Sequence, residues 1–362
     1  MNRKFNFNAG PATLPLEVLE ELQKNIVDFN GIGMSILEIS HRSKEVEEIL
    51  AASKSLLRDL MNIPQDYEVL FLSGGASLQF AMVPMNLLTP GKKADYIITG
   101  EWSKKAIKEA KILGEVVVAA STESENFRRI PKPNEIKLSP DASYVHITSN
   151  NTIFGSQWRN FPQTGDVPLV ADMSSDILSK KIDVGMFGLI YAGAQKNLGP
   201  AGVTVVIIKK ELADQSLENV PTMLRYKTHI ENNSLYNTPP VFAIYGVKLV
   251  LEWLKRNGGV EEIEKINNQK ADLLYKAIDS SAGFYRSTVD VDSRSLMNVT
   301  IRLTNEDLEE KFIKEAASIG LYGLKGHRSV GGIRASVYNA FPLEGIEVLV
   351  DFMEKFAKTN KG

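Results

Sequence analysis

Lys196 is the residue of this sequence whose surroundings most favour chemistry. It is the only charged residue between Asp183 and Lys209, in a stretch of glycine, alanine and large apolar residues. An ammonium group is poorly solvated in such surroundings, so its pKa falls and the free amine becomes available. A free amine can form an imine with a carbonyl group. The alternative is a lysine at a strand end that simply reaches solvent.

Asp172 directly follows the apolar run 168–171. Ligands of open α/β sheets bind in the crevice at the carboxyl ends of the strands. Lys196 also follows an apolar run, so we expect the two side chains to converge on one pocket. A carboxylate that fixes a protonated ring nitrogen, together with a lysine that holds an aldehyde, is what pyridoxal phosphate requires. An aspartate after a strand is otherwise usually a helix cap.

A glycine-rich turn at 73–77 lies between an apolar run that ends at Leu72 and a helix predicted to begin near Leu78. Glycines let a ligand approach the backbone, and the N–H groups at a helix start bind anions. The turn lacks the Walker and dinucleotide-binding patterns, so it suits a monophosphate. The alternative is an ordinary turn.

Trp102 follows another apolar run, 96–98. From the strand end it can stack on a planar ring in the same crevice. A tryptophan buried in the core is an equally good interpretation of the sequence.

These residues must be positioned by a sheet. Seven short apolar runs alternate with helical stretches such as 17–29, 44–61 and 104–113, which predicts an α/β fold with a mostly parallel seven-stranded sheet. A long amphipathic helix after Pro240 ends near Gly258, and an α+β pattern follows. We therefore predict a large domain over 16–257 and a smaller α+β C-terminal domain over 258–362, with segment 1–15 near the active site. The runs lie at 69–72, 96–98, 116–118, 144–147, 169–171, 189–192 and 203–208.

Composition excludes several classes of function. The 362 residues include 42 Lys or Arg and 44 Asp or Glu, and this balance argues against general affinity for nucleic acid or an anionic membrane. The absence of cysteine excludes disulfides, thiolate nucleophiles and cysteine-ligated metals. No apolar run is long enough to span a bilayer, and the 4 histidines have no metal-ligand spacing, so His146 and His229 are interpreted as structural. We expect a cytoplasmic protein.

Seven segments, in order along the whole chain, resemble the class-V, fold-type-I pyridoxal-phosphate aminotransferases, and within them the branch that acts on phosphoserine. The segment at 40–43 resembles the substrate clamp of that family, 146–155 its cofactor strand and loop, and 193–200 its lysine motif. The other matching segments are 6–12, 171–175, 237–240 and 326–328.

The resemblance implies a role for each site residue. Lys196 would hold the cofactor and shuttle the substrate α-proton, and Asp172 would keep the ring nitrogen protonated. Trp102 would stack on the ring and Thr152 would bond its phenolic oxygen. The phosphate would be bound by Ala76, Ser77 and Gln195, and by Asn237 and Thr238 of the neighbouring subunit, which implies a homodimer with shared active sites.

Arg42 and Arg334 would hold the acidic groups of the substrate, helped by His41, His327 and Arg328. A planar guanidinium suits carboxylate and phosphate groups bidentately. Two alternatives remain open here: His41 on a solvated surface, and Arg334 facing solvent rather than the cleft. Other branches of the family have an arginine where this chain has Ser77, so one positive charge of the distal-acid pocket is missing from this loop.

The implied reaction transfers an amino group from L-glutamate to 3-phosphohydroxypyruvate, giving O-phospho-L-serine and 2-oxoglutarate, a step of serine biosynthesis. The phosphohydroxythreonine step of pyridoxine biosynthesis is a further expectation. An alanine–glyoxylate type of aminotransferase is the alternative within the family, whereas a cysteine desulfurase is excluded because it needs a cysteine nucleophile. A non-catalytic binding module stays open, and a nucleotide-dependent dehydrogenase lacks its glycine fingerprint.

Overall fold

Strands and helices alternate through most of the chain. The structure is a computed structural model that describes residues 3–217 and 219–360. The α-helices in this part are α1 (Leu16–Asn25), α2 (Lys44–Met61), α3 (Gly75–Leu87), α4 (Glu101–Leu113), α5 (Lys210–Asp214), α6 (Tyr226–Glu231), α7 (Val241–Arg256), α8 (Gly259–Asp279), α9 (Glu306–Ser318) and α10 (Leu343–Asn360). The strands are β1 (Phe5–Asn6), β2 (Tyr67–Leu72), β3 (Lys93–Ile98), β4 (Glu115–Ser121), β5 (Val145–Thr148), β6 (Asn150–Asn151), β7 (Ser156–Gln157), β8 (Leu169–Asp172), β9 (Leu189–Gly193), β10 (Thr204–Lys209), β11 (Arg286–Ser287), β12 (Asn298–Arg302), β13 (Leu321–Tyr322) and β14 (Ile333–Ser336).

The central sheet has seven strands in the order β2-β10-β9-β8-β5-β3-β4. Only β10 runs against its neighbours, β2 and β9; the other pairings are parallel. Each of the seven apolar runs supplies one of these strands, because a parallel sheet covered on both faces needs nearly continuous apolar sequence. The prediction of a mostly parallel seven-stranded sheet is confirmed. Asp172 ends β8 and pairs with Thr148 of β5 on one side and Tyr191 of β9 on the other.

Helices cover both faces of this sheet. Alternate residues of β10 face opposite ways: Val205 and Ile207 join the hydrophobic cluster that includes α2 and α7, whereas Val206 and Ile208 join the cluster that includes α3 and α4. Burial of each such side chain contributes roughly 1.5–3 kcal/mol. The sheet is therefore held rigidly, and its strand ends are fixed relative to each other.

The limits predicted for the first two helices are confirmed for α2 and wrong at the end of α1. Helix α2 spans the predicted 44–61, because the Ser43 side chain accepts a hydrogen bond from Val46 N and Asn62 ends the helix in a left-handed conformation. The prediction of a helix over 17–29 is wrong at its end, since α1 stops at Asn25. The side chain of Asn25 instead accepts from Asn30 N, which favours a short 3-10 turn at Phe29–Gly31.

The C-terminal part has its own hydrophobic cluster, built on the antiparallel sheet β11-β12-β14 and on α8, α9 and α10. Phe7 belongs to the same cluster, and β1 pairs in parallel with β13. Helix α8 contacts both parts: Ile263 packs in the large core and Leu274 in the C-terminal one. The domain boundary at 257/258 stays a prediction.

Candidate active site

Lys196 lies in the turn that follows β9, and its Nζ is 5.8 Å from the centroid of the Trp102 ring. Burial lowers its pKa to about 8. The carboxylate of Asp172 opposes this shift, and the positive charge of Arg334 adds to it. Since an ordinary lysine has a pKa of about 10.4, the free amine is far more abundant here near neutral pH.

Asp172 is buried at the end of β8, with 5% of its surface exposed. Its Oδ1 accepts a hydrogen bond of 2.9 Å from Ser174 N, and the Ser174 hydroxyl accepts one of 3.0 Å from Gly193 N. Burial raises the pKa of Asp172, while the bonds from Ser174 and the charge of Lys196 lower it. The structure thus brings Asp172 and Lys196 within electrostatic reach of each other, on adjacent strand ends.

Trp102 and Thr152 are directly bonded. Trp102 lies in the first turn of α4, and its Nε1 donates to Thr152 Oγ1 over 3.0 Å. Because that hydroxyl oxygen accepts from the indole, its own hydrogen is free to be donated to a ligand. Arg334 Nη1 donates to Thr152 O over 3.0 Å, so the tryptophan, threonine and arginine form one connected group.

The glycine-rich turn differs from the prediction in one respect. Helix α3 begins at Gly75 rather than near Leu78, because Gly74, with φ +93°, caps it in the left-handed region. The N–H groups of the first helical turn, at Gly75, Ala76 and Ser77, have no intrahelical acceptor. The first turn of α3 has no acidic residue, and Ser77 is exposed. This helix start is therefore suited to an anion.

The N-terminal segment reaches the lysine. Ala12 N donates to Gln195 O over 2.9 Å, and a Cβ built on Gly10 would lie 3.4 Å from Lys196 Cγ. The Gln195 side chain is half-buried, and its Oε1 would lie 2.8 Å from a Cβ on Gly193. Residues 10–12 thus form one wall beside Lys196 and Gln195.

Arg334 faces the cleft rather than solvent. Its side chain is largely buried, and its Nε is a buried donor with no hydrogen-bond partner among residues 3–217 and 219–360. Arg334 and His327 line a cavity of about 780 Å³, which Arg128 and Arg302 also line. Burial lowers the pKa of His327, and the positive charges of Arg334, Arg328 and Lys105 lower it further. The cavity is also lined by four carboxylates, and those of Asp290 and Glu123 pair with Arg128 and Lys104, so its wall has basic and acidic residues in equal number.

His41, Arg42, Asn237 and Thr238 form a second group. Thr238 Oγ1 lies 3.4 Å from His41 Nδ1, and the side chains of Arg42, Asn237 and Thr238 are exposed. No hydrogen bond within the described part of the chain joins these four residues to Lys196, Asp172, Trp102, Thr152 or Arg334. The structure thus brings Thr238 to His41, and it places Asn237 in the lining of a cavity with Ser73 of the glycine-rich turn.

Ser174 and Asn197 are functional supports that sequence reasoning missed. Ser174 bonds Asp172 as described above, and Asn197 Oδ1 accepts a hydrogen bond of 3.0 Å from Asn339 N. An Asp with a serine two residues later is a signal of an Asx turn and could have indicated Ser174. His146 is buried against Tyr96 and Tyr191, as expected of a structural histidine.

These residues fit pyridoxal phosphate. A half-buried lysine of lowered pKa, a buried carboxylate, a free hydroxyl hydrogen on Thr152 and the N–H groups at the start of α3 match its aldehyde, ring nitrogen, phenolic oxygen and phosphate, in that order. The residues described in the structure include no group of three His, Asp or Glu able to hold a metal ion. They also include no helix with the length and apolarity needed to span a membrane.

The family description aminotransferase class-V matches residues 4–349 of this chain. The chain therefore belongs to the class-V aminotransferases, and it is a pyridoxal-phosphate-dependent aminotransferase of fold type I.

The particular proteins that it resembles are phosphoserine aminotransferases. That of Halalkalibacterium halodurans is 56% identical over 361 residues, covering 100% of both chains. The structure of the enzyme from Bacillus circulans subsp. alkalophilus has a TM-score of 0.98 at 55% identity over 100% of both chains. The pyridoxal-phosphate-bound enzyme from Trichomonas vaginalis has a TM-score of 0.93 at 38% identity, over 97% of this chain and 100% of that one.

Proposed function

We propose that this chain transfers the amino group of L-glutamate to 3-phosphohydroxypyruvate, giving O-phospho-L-serine and 2-oxoglutarate. The observation that supports this most is Arg334, a cation with a buried Nε whose charge acts on Lys196, in a chain similar over its whole length to phosphoserine aminotransferases. Each substrate of this reaction has a carboxylate and a second acidic group, so two anion-binding positions are needed.

Pyridoxal phosphate, when bound, withdraws electrons from the substrate α-carbon so that an amino group and a carbonyl oxygen can be exchanged. Lys196 Nζ is the group of this chain that would bind the aldehyde and take the proton from the substrate α-carbon. Its pKa of about 8 leaves an appreciable share of free amine at neutral pH. Asp172 would hold the protonated ring nitrogen, and Trp102 and Thr152 would orient the ring.

Arg334 binds the carboxylate of the substrate. Its Nε is buried without a hydrogen-bond partner among the described residues, which costs free energy unless an anion fills the position. Charge-assisted, bidentate bonds to a carboxylate would satisfy it. The arginine also touches Thr152 O, so substrate binding and cofactor orientation are coupled through one side chain.

The second acidic group is bound by the remaining basic residues, His41, Arg42, His327 and Arg328. This phosphate site is the feature that separates the proposed activity from the alanine–glyoxylate type, whose substrates have no second acidic group. Phosphohydroxythreonine has the same two acidic groups, and its use as a substrate stays a prediction.

The chain acts as a homodimer with shared active sites, and its location is the cytoplasm. Arg42, Asn237 and Thr238 are exposed in one subunit and so are accessible to a partner subunit, which supports this arrangement. In the dimer, Asn237 and Thr238 complete the phosphate site of the partner subunit together with Ala76, Ser77 and Gln195.

The proposal is tested by the production of 2-oxoglutarate from L-glutamate and 3-phosphohydroxypyruvate and, in the reverse direction, of L-glutamate from O-phospho-L-serine and 2-oxoglutarate, with wild type and Lys196→Ala. Wild type should show a visible absorption band with added pyridoxal phosphate and catalyse the exchange. Lys196→Ala should lose activity by at least about 10⁴-fold, because the nucleophile is absent. Lys276→Ala, an exposed lysine of α8, is the control and should behave as wild type. A wild-type protein that exchanges alanine and glyoxylate but not phosphoserine would refute the proposal.

A further inference from the structure

Lys270 of α8 lies entirely inside the protein, with 0% of its surface exposed. Its Nζ donates hydrogen bonds to three backbone carbonyls, those of Val337 at 2.9 Å, Tyr338 at 2.7 Å and Phe341 at 3.2 Å. Among the described residues these three carbonyls are the hydrogen-bond partners of its Nζ, and burial lowers its pKa to about 7. Burying a lysine side chain costs free energy. Since all three N–H donors of Lys270 bond one chain segment, we look for the role of the lysine in that segment.

The segment held by Lys270, residues 337–341, follows β14 and reaches the turn of Lys196. Asn339 N donates to Asn197 Oδ1 over 3.0 Å, and Asn197 is the next residue after Lys196. Asn339 Nδ2 also donates to Leu178 O over 3.0 Å, which ties the segment to the loop after β8. The position of Asn197, and with it the backbone of the lysine turn, thus depends on this segment.

The same segment holds the other side of Lys196. The Tyr338 hydroxyl donates to Ala9 O over 2.7 Å and accepts from Asn298 Nδ2 over 3.2 Å. Ala9 precedes Gly10, where a Cβ would lie 3.4 Å from Lys196 Cγ. Residues 337–341 therefore contact both neighbours of the lysine, the turn in which it lies and the N-terminal segment beside it.

We propose that Lys270 is a positioning residue for the aminotransferase reaction: by fixing residues 337–341 it holds Lys196 between Asn197 and residues 9–10. The inference rests on the chemistry at Lys196 and not on the identity of the substrate. Loss of its three hydrogen bonds takes a donor from each of three carbonyls, of which Tyr338 O keeps the bond from Phe341 N, so we expect the segment to shift toward water or other donors. Small misplacements of a reacting group reduce the rate of the chemical step more than they reduce substrate binding.

The test compares holoenzymes of wild type, Lys270→Met and Lys276→Met, the last a control on the exposed side of the same helix. We expect Lys270→Met to lower kcat by about tenfold or more, with KM for glutamate changed by less than about twofold. The pH midpoint of the visible absorbance of the bound cofactor should shift by at least roughly 0.3 pH units, since the surroundings of Lys196 change. Lys276→Met should leave all three quantities unchanged.

Asn197→Ala provides the coupling test. If Lys270 acts through the contact of the segment with Asn197, adding Lys270→Met to Asn197→Ala should lower kcat by less than about twofold. Lys270→Gln retains two N–H donors, so its kcat and its pH midpoint should lie between those of Lys270→Met and wild type. If Lys270→Met does not fold, Lys270→Gln replaces it in the same comparisons.

A purely structural role would give a different result. Lys270→Met would then have a lower melting temperature, with kcat and the pH midpoint equal to those of wild type. Alternatively, its effect on kcat would be fully additive with the effect of Asn197→Ala. Either outcome overturns the inference. The pH midpoint is measured without substrate. It therefore stays informative if wild type proves inactive with phosphoserine, a result that would refute only the proposed function.

Discussion

The charges around Lys196 determine how much of its amine is free. Asp172 favours the protonated form, and burial and Arg334 favour the neutral form, with a resulting pKa of about 8. The sequence indicated the lowered pKa, because the flanks of Lys196 contain no charge. It could not indicate the effect of Arg334, which lies 138 positions further along the chain and reaches the lysine only through folding.

Replacement of this arginine, Arg334→Gln, should therefore raise the pKa of Lys196. A positive neighbour disfavours the protonated amine, so its removal should move the midpoint for capture of pyridoxal phosphate by the apoenzyme upward from about 8, by roughly half a pH unit. KM for glutamate should rise about 10- to 100-fold through loss of a charge-assisted contact. Both are measured by stopped-flow absorbance across pH and by steady-state rates.

Arg128→Gln is the matched control, since Arg128 lines the same cavity and is paired with Asp290. The pH midpoint for capture of pyridoxal phosphate by the Arg128→Gln apoenzyme should equal that of wild type. A midpoint for Arg334→Gln that stays in place or moves downward would contradict the assigned electrostatics.

At the scale of elements, strand and helix identities followed from the sequence, whereas the course of the N-terminal segment did not. Apolar runs and caps such as Ser43 are local signals, and they predicted the central sheet and α2. The contact of Gly10 with Lys196 joins residues far apart in sequence and leaves no periodic pattern. The early start of α3 likewise depends on the left-handed conformation of Gly74, which a glycine permits but does not require.

Gly10→Ala tests the role of that segment. Gly10 has φ +143°, where an L-residue is strained by on the order of 1–3 kcal/mol, and its new Cβ would press on Lys196. We expect weaker retention of pyridoxal phosphate in equilibrium dialysis and a lower kcat.

Gly165→Ala is the comparison for this variant, because Gly165 also has a positive φ, +60°, but has open space around it. It should lose some stability in denaturant unfolding and retain its cofactor. Equal loss of cofactor in both variants would show that strain alone, rather than contact with the lysine, is responsible.

At the scale of the whole molecule, a net charge of −2 does not show where single charges act. The cavity that Arg334 lines has basic and acidic residues in equal number, and two of its cations, Arg128 and Lys104, are paired with carboxylates. Composition could not show that Arg334 lowers the pKa of Lys196. It also could not show that Thr238 lies beside His41, 197 positions away in sequence.

A shared active site predicts complementation between subunits. Lys196→Ala and the double variant Asn237→Ala/Thr238→Val should each bind pyridoxal phosphate weakly as homodimers. In their heterodimer one site combines all the defects and the other has none, so about half of the wild-type activity per dimer should return. Affinity-tagged heterodimers are assayed for activity and cofactor content. Failure of the heterodimer to exceed the double-variant homodimer would place Asn237 and Thr238 in the same subunit's site as Lys196.

The central claim is that this aminotransferase is built for a substrate with two acidic groups. Its most direct test is single-turnover mixing of the cofactor-loaded protein with O-phospho-L-serine, L-glutamate or L-alanine, followed by the change in visible absorbance. The account predicts that phosphoserine reacts at least as fast as glutamate, and both at least about 100-fold faster than alanine at equal concentration, because alanine leaves the basic positions unpaired. Alanine reacting as fast as phosphoserine would contradict it.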